Sequence, residues 1–279
     1  MRHGRSRRLG LLAGVSLAFL IAAPMLTSSD QAAASTLQWS VPPTLMAGQL
    51  WMIKSNDLSA IGGVGSYAWV GCGLTTAPLT PSNDAACQPG QVPIYTNYST
   101  FKNDVSSHLL TQGDTVIFDN EVWKYTPAWE QAHQVLYEQL AAQLAIANGI
   151  TFINAPYGKS AKITIADDVG AAKYASVVEI QSQTLDRDPK EFQAFVKKDV
   201  TAIRAVSPTV TILAGLATDA GGIPTSTSDM YQEYKSVKGE VQGFWLNANT
   251  WGPPHAQGCA AQGCPAIARG FLQLIGVSG

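Results

Sequence analysis

The chain has 279 residues, 18 of them Lys or Arg and 20 Asp or Glu, for a formal charge of −2; 46% are hydrophobic and only 14% charged. With no basic run beyond the first few residues, nucleic acid and anionic membrane surfaces are excluded as electrostatic partners. The length suits one large domain or two small ones.

Residues 1–34 read as a secretory signal peptide. Arg2, Arg5, Arg7 and Arg8 make a basic start, Leu9 to Leu26 is apolar apart from Gly, Ser and Pro, and Ala32-Ala33-Ala34 offers a small-residue cleavage site. The apolar run is longer than usual for such a segment, so an uncleaved membrane anchor is the alternative. Pro24 and the cleavage site that follows favour removal. Cleavage after Ala34 leaves 245 residues; taking away the four Arg and Asp30 moves the formal charge to −5. No other stretch is long and apolar enough to span a bilayer, so a secreted protein free of the membrane is expected.

Downstream, "GQLWMIKSN" (48–56) and "SYAWVGCG" (66–73) read as strands and "YSTFKNDVSSHLLTQ" (98–112) as a helix, with another strand near Ile94. From Thr115 strands and helices alternate. Thr115 to Asp119 is a strand. Thr126-Pro127 resembles an N-cap with Pro at the first helical position, opening a helix that runs to Gly149 and buries Trp129, Val135, Leu136, Leu140 and Leu144. "ITFINAP" (150–156) is a strand, followed by a short helix near Asp167 to Tyr174 that Asp167-Asp168 would cap. "SVVEIQSQ" (176–183) is the next strand, and Asp188-Pro189-Lys190-Glu191 opens a helix burying Phe192, Phe195, Val196, Val200 and Ile203. "TVTILAGLAT", "TSDMYQEYKSVK", "VQGFWLNANT" and "CPAIARGFLQLIG" continue as strand, helix, strand and helix.

Successive βα units with short apolar strands imply a parallel sheet covered by helices. A count of seven or eight strands predicts an α/β fold of the (β/α)8 TIM-barrel type, irregular in its N-terminal third, formed by one monomeric domain over 35–279. A doubly wound open sheet is the alternative, but no Gly-rich phosphate loop follows any strand. The four cysteines form two local pairs, Cys72 with Cys87 and Cys259 with Cys264. Such pairing fits two loop staples in an oxidising compartment, with zinc near His255 as the alternative.

Barrel sites lie at the C-terminal ends of the strands, and unusual residues gather there. Strand side chains alternate, so Ile117, Asp119 and Glu121 share one face and Val116, Phe118 and Asn120 the other. With the apolar set turned to the helices, both carboxylates point into the barrel mouth, their Cα atoms roughly 6 to 7 Å apart. Glu179, Gln181 and Gln183 repeat the pattern, as do Trp245, Asn247 and Asn249. Asn154 at the end of "FIN" and Trp123, two residues beyond Glu121, complete the candidate set. Amides and acids bond sugar hydroxyls and an indole packs on a pyranose face, so the expected ligand is carbohydrate. No G-x-S-x-G, no H-E-x-x-H and no histidine cluster is present, and no metal or cofactor is expected.

"DTVIFDNE" (114–121) resembles the D-x-x-D-x-D-x-E signature that ends a barrel strand in family 18 glycoside hydrolases, the chitinase-like group. Asp114, Asp119 and Glu121 fall on its first, third and fourth acidic positions, and Ile117 stands where the second would be. "GFWLNANTW" (243–251) is similar to that group's last strand, which places a Trp under the sugar. The resemblance implies Glu121 as general acid and Asp119 as the residue that orients a substrate 2-acetamido group, whose carbonyl oxygen attacks the anomeric carbon. The departure at Ile117 leaves Asp119 ionised or in need of another partner. Glu179 could be that partner, or could act with Glu121 as an ordinary carboxylate pair. The alternative function is a non-catalytic carbohydrate-binding or cell-wall-associated barrel.

Overall fold

The computed structural model of the protein describes residues 45–54, 68–75, 91–157, 161–185, 187–219, 224–248 and 263–277. Eight parallel strands close into a barrel in sequence order: β1 (Leu50–Lys54), β2 (Trp69–Thr75), β3 (Gln91–Tyr95), β4 (Thr115–Phe118), β5 (Thr151–Asn154), β6 (Val177–Ile180), β7 (Thr211–Ala217) and β8 (Gly243–Asn247). β8 pairs back onto β1 in register from Leu50–Gly243 to Lys54–Asn247, so no edge is left open. A Cβ at Gly243 would collide with the Leu50 carbonyl, and glycine there permits the closure. This is the (β/α)8 barrel that the alternation implied, with β3 supplying the strand near Ile94. The leader 1–34, Cys87, His255, Cys259, Asn249 and Trp251 lie outside the described residues, as do the segments that follow β1 and β2. Among the described residues no helix is long and apolar enough to cross a membrane.

Strand alternation divides the core in two. Met52, Trp69, Val92, Ile94, Ile117, Ile153, Val177, Leu213 and Trp245 fill the barrel interior. On the outer face Val116, Phe118 and Phe152 pack with Phe101 and Val105 of α1 (Tyr98–Ser106) and Ala141, Ala142 and Ala145 of α3 (Gln134–Ala147), which follows a single-turn α2 (Ala128–Gln131). Around the rest of the barrel Val178, Ile180, Ile212, Ala214, Phe244 and Leu246 pack with α5 (Pro189–Val206), α6 (Thr227–Val237) and α7 (Gly263–Leu274). α4 (Ala161–Ala171) lies between α3 and α5 in the chain order. Asp188 caps α5 as its sequence implied, its side chain accepting from Lys190 N and Glu191 N.

Two helices depart from the sequence reading. The helix expected to run unbroken from Pro127 to Gly149 is interrupted at Ala132 and His133, and its buried face is Gln134, Glu138, Ala141, Ala142 and Ala145. Trp129 and Leu136, expected inside, are 58% and 49% exposed. Small alanines let α3 approach the sheet closely, and the break sets Gln131 and Gln134 against the loop after β4, where their amides are bonded. α4 begins earlier than expected, so Asp167 and Asp168 sit in mid-helix and face inward instead of capping.

The layer between helices and sheet is consequently rich in buried acid. Glu138 and Asp167 are fully buried with no hydrogen-bond partner on any carboxyl oxygen. Asp168 on α4 and Asp199 on α5 face each other; two carboxylates can bond only if one carries a proton, and burial followed by the Asp199 charge holds that proton on Asp168, raised well above its ordinary value. Burial also lifts Glu138 well above the usual range, Asp167 to about 7 and Asp199 to about 6. Each folded-state value exceeds the unfolded one, so the folded chain binds more protons, and stability falls as pH rises from the ordinary carboxylate range toward about 7. Thermal melting is expected to be higher at pH 5 than at pH 8. Asp167→Asn should raise the melting temperature at pH 8 by roughly 5 °C and flatten the decline; calorimetric scans across that range check both.

Candidate active site

β4 delivers the central acids. Asp119 N donates to Tyr95 O at 2.8 Å, extending the β3–β4 ladder one residue past Phe118, so Asp119 stands directly above Ile117 on the inward face. Two residues on, Glu121 forms an isolated parallel bridge with Tyr157 after β5. Asp114 stands at the opposite end of the strand, where it accepts from Thr111 N (2.7 Å) and Oγ1 (3.1 Å) and closes the turn. It belongs to the floor of the barrel and not to the mouth.

The loop carrying Glu121 is fixed by its own polar groups. Thr126 does not cap a helix. Its hydroxyl donates to Thr96 O (2.8 Å) and accepts from Glu121 N (3.3 Å) and Trp123 Nε1 (2.9 Å). Gln131 Nε2 donates to Trp123 O (2.6 Å) and Thr126 O (2.7 Å), and Asn120 Nδ2 donates to Glu130 Oε2 (2.9 Å). Trp123 is half-buried with its indole edge-on to Tyr125, ring centres 5.1 Å apart.

β6, two strands round from β4, supplies the next groups. The Gln181 amide nitrogen lies 3.3 Å from Asp119 Oδ1, 3.1 Å from Glu121 Oε1 and 3.1 Å from Ala155 O, joining both acids to the end of β5. Continuing the β4–β5 and β5–β6 registers by one residue sets Ala155 between Asp119 and Glu179, so only a methyl group separates the two carboxyls laterally. Glu179 is fully buried and accepts from Gln183 Nε2 at 3.4 Å. Both side chains lie over Gly215 of β7, where a Cβ would stand 2.5 Å from Glu179 Oε1 and from Gln183 Cδ.

Among the described residues, three carboxyls thus share a poorly solvated space with the Lys54 cation at the end of β1. Burial raises Asp119, with the Lys54 charge as the main opposing influence. Glu121 is pushed well above the carboxylate range by burial, then by the Asp119 charge and by the hydrogen bond that its protonated form donates to Asp119. Glu179 is likewise raised, by burial and then by Asp119. The stable arrangement holds protons on Glu121 and Glu179 and leaves Asp119 the most readily ionised, because like charges this close cannot all persist.

The remaining candidates divide. Trp245 occupies the same inward column of β8, only 2% exposed, with Lys54 Nζ 6.0 Å from its ring centre. Asn247, half-buried, pairs in register with Lys54. Asn154 is not brought to the mouth: it shares the outward face of β5 with Phe152, and its amide is buried without a partner. Cys72 and Cys264 lie on β2 and α7, while their expected partners fall outside the described residues. Lys54 and Gly215 were missed in the sequence. Counting alternate residues from Met52 reaches Lys54, but one Lys after a strand reads as a solvated end; nothing in "LAGLA" marks Gly215.

No protein-family model matches the chain, and no curated protein matches it. Among solved structures it is similar to a GH18 chitinase from Pseudoalteromonas aurantia, at 13% identity over 78% of this chain and 99% of that one, with a TM-score of 0.49. The N-terminal domain of a Bacteroides vulgatus protein named for an aldolase matches at 9% identity over 81% and 87%, TM-score 0.45. A glycoside hydrolase family 5 enzyme from Prevotella bryantii matches at 9% over 82% and 96%, TM-score 0.34. At these scores the barrel rests on its own strand pairing, and the chemistry on the residues of the mouth.

Gly215→Ala is expected to displace Glu179 and Gln183 and to cost about 1–3 kcal/mol in urea denaturation. Unchanged stability would mean that both side chains can move aside freely.

Proposed function

We propose that the barrel mouth hydrolyses a glycosidic bond next to an N-acetylated sugar, with Glu121 as general acid and Asp119 as its partner. The observation that carries this reading is the pair itself. Glu121 keeps its proton through burial and the Asp119 charge, and Asp119 accepts the hydrogen bond from that proton. A group required to deliver a proton near neutral pH needs this kind of elevation.

In the reaction so assigned, the Glu121 proton passes to the glycosidic oxygen as the C1–O bond breaks, and the bonding pair leaves with that oxygen. The substrate's 2-acetamido carbonyl oxygen closes onto C1, while the Asp119 carboxylate accepts from the acetamido N–H and offsets the charge developing on it. Glu121, now ionised, takes a proton from the water that reopens the ring, and the enzyme returns to its starting state. No second protein nucleophile is needed. Ile117 offers no acid beneath Asp119, so Lys54 favours its ionised form from the side, and Glu179 stays protonated across Ala155. Gln181 holds the two working carboxyls together from above. Export through the leader, with Cys72–Cys87 and Cys259–Cys264 as staples, belongs to the same proposal and is supported by the sequence alone.

A second reading, carbohydrate binding without turnover, is favoured by two observations: Trp245 is 2% exposed and the residue beneath Asp119 is apolar. Release of reducing ends from chitin, peptidoglycan and neutral glycan fragments separates the two. Glu121→Gln should keep the wild-type circular dichroism and lose activity by about a hundredfold or more. Because the working form of Glu121 is protonated, kcat/KM should fall as pH rises through its elevated value. Glycan binding with no turnover by either protein would establish the second reading.

A further inference from the structure

Gln181 Nε2 meets both Asp119 Oδ1 and Glu121 Oε1, so the two carboxyls stand on the mouth side of the chain. Asn120, the residue between them, turns the other way. It is fully buried, and its Nδ2 donates to Glu130 Oε2 at 2.9 Å. We propose that Glu130 is a positioning residue for the mouth: by gripping Asn120 it fixes the peptide from which both acids project, and so keeps the Glu121 carboxyl against Asp119 and away from water.

Glu130 is itself anchored at its far end. The same Oε2 accepts at 2.8 Å from the backbone N–H of Tyr98, the first residue of α1. A carboxylate is favoured there by the partial positive charge of a helix start. Glu130 therefore joins three pieces of chain that the barrel brings side by side: the start of α1 after β3, the end of β4, and its own α2. Burial raises its proton affinity, and the Tyr98 and Ser99 backbone N–H groups and the Asn120 amide oppose this by bonding the ionised form.

The cost of the arrangement points to a purpose beyond fastening. Glu130 is fully buried and its Oε1 meets no partner, so everything that offsets the desolvation acts through Oε2. An apolar side chain would fill such a place at lower cost. What a hydrogen bond adds is direction, and Asn120 needs it: its Oδ1 is buried without a partner, so the bond to Glu130 orients the amide. The Asn120 carbonyl is held as well, by Gln134 Nε2 at 2.6 Å. Asp119 still belongs to the β3–β4 ladder through its N–H, but Glu121 lies beyond it and takes its place from the residue before.

The test follows the Glu121 carboxyl itself, by carboxyl-carbon NMR titration of the full chain, with the signal assigned by its loss in Glu121→Gln. Glu130→Ala and Asn120→Ala should each lower its titration midpoint by about one pH unit or more, because a loosened peptide admits water and parts the carboxyl from Asp119. Glu130→Gln keeps an oxygen acceptor for Asn120 and should restore most of the difference. Combining both alanine substitutions should move the midpoint no further than either alone. In turnover, each alanine variant should lose about tenfold or more in kcat with KM within about twofold. That kinetic readout rests on Glu121 acting as general acid, and the titration does not. Absence of turnover in the wild type would therefore sink the proposed hydrolysis and leave the midpoint to decide the positioning. Asn120→Ala leaves the Tyr98 contact in place, and decides the matter if circular dichroism shows Glu130→Ala unfolded. The proposal is overturned by an unmoved midpoint in a folded alanine variant, by equal loss in Glu130→Gln and Glu130→Ala, or by unfolding of both alanine variants, which would make the contact a requirement of the fold alone.

Discussion

Closing a parallel sheet into a barrel forces every second residue of every strand into one narrow interior, and the rest of this structure depends on that confinement. Below the mouth the interior is filled by Met52, Ile94, Ile117, Ile153 and Leu213, which leaves water no path from beneath. Acids at the top of the same columns therefore stand on an apolar floor. Asp119, Glu121 and Glu179 owe their raised proton affinity first to this lack of solvent and only then to one another. A surface cleft with the same three carboxyls would leave all of them ionised at neutral pH.

Small residues then decide what the confined groups can reach. Ala155 lets Asp119 and Glu179 influence each other across a strand, and Gly215 makes the space in which Glu179 and Gln183 lie. Larger residues at either position would separate the acids or expel one of them. The loop after β4 works by the opposite means. Thr126, Gln131 and Gln134 bond its backbone at several points, so Glu121 is held by hydrogen bonds where Asp119 is held by the strand. Preorganisation of this kind leaves little ordering to be done when a ligand arrives.

Buried acid without matching base recurs outside the barrel, at Glu138, Asp167, Asp168 and Asp199. Lys197 and Glu240, 3.5 Å apart, form an ion pair on the exposed surface, away from these acids. Burial raises the proton affinity of each of them, as it does for Glu121 and Glu179, which ties the fold and the mouth to pH in the same direction.

The amino-acid sequence by itself determined the barrel, the order of its strands and the inward direction of Asp119, Glu121, Glu179 and Trp245. Those features follow from a period of two and from short apolar runs separated by helices, and both signals are local. It misjudged the face of α3, because apolar spacing pointed to Trp129 and Leu136 while the packed face is built from alanine, glutamine and glutamate. It placed Asn154 at the mouth, although one residue of phase puts it on the opposite side of β5 from Ile153. Only the tertiary structure decided that Gln181 joins the two acids, that Lys54 is their cation, and that Gly215 gives Glu179 room. Gln181 and Glu121 lie 60 residues apart in the chain and meet from strands with β5 between them. Such meetings are set by strand register and by where the barrel closes, and no spacing along the chain encodes them.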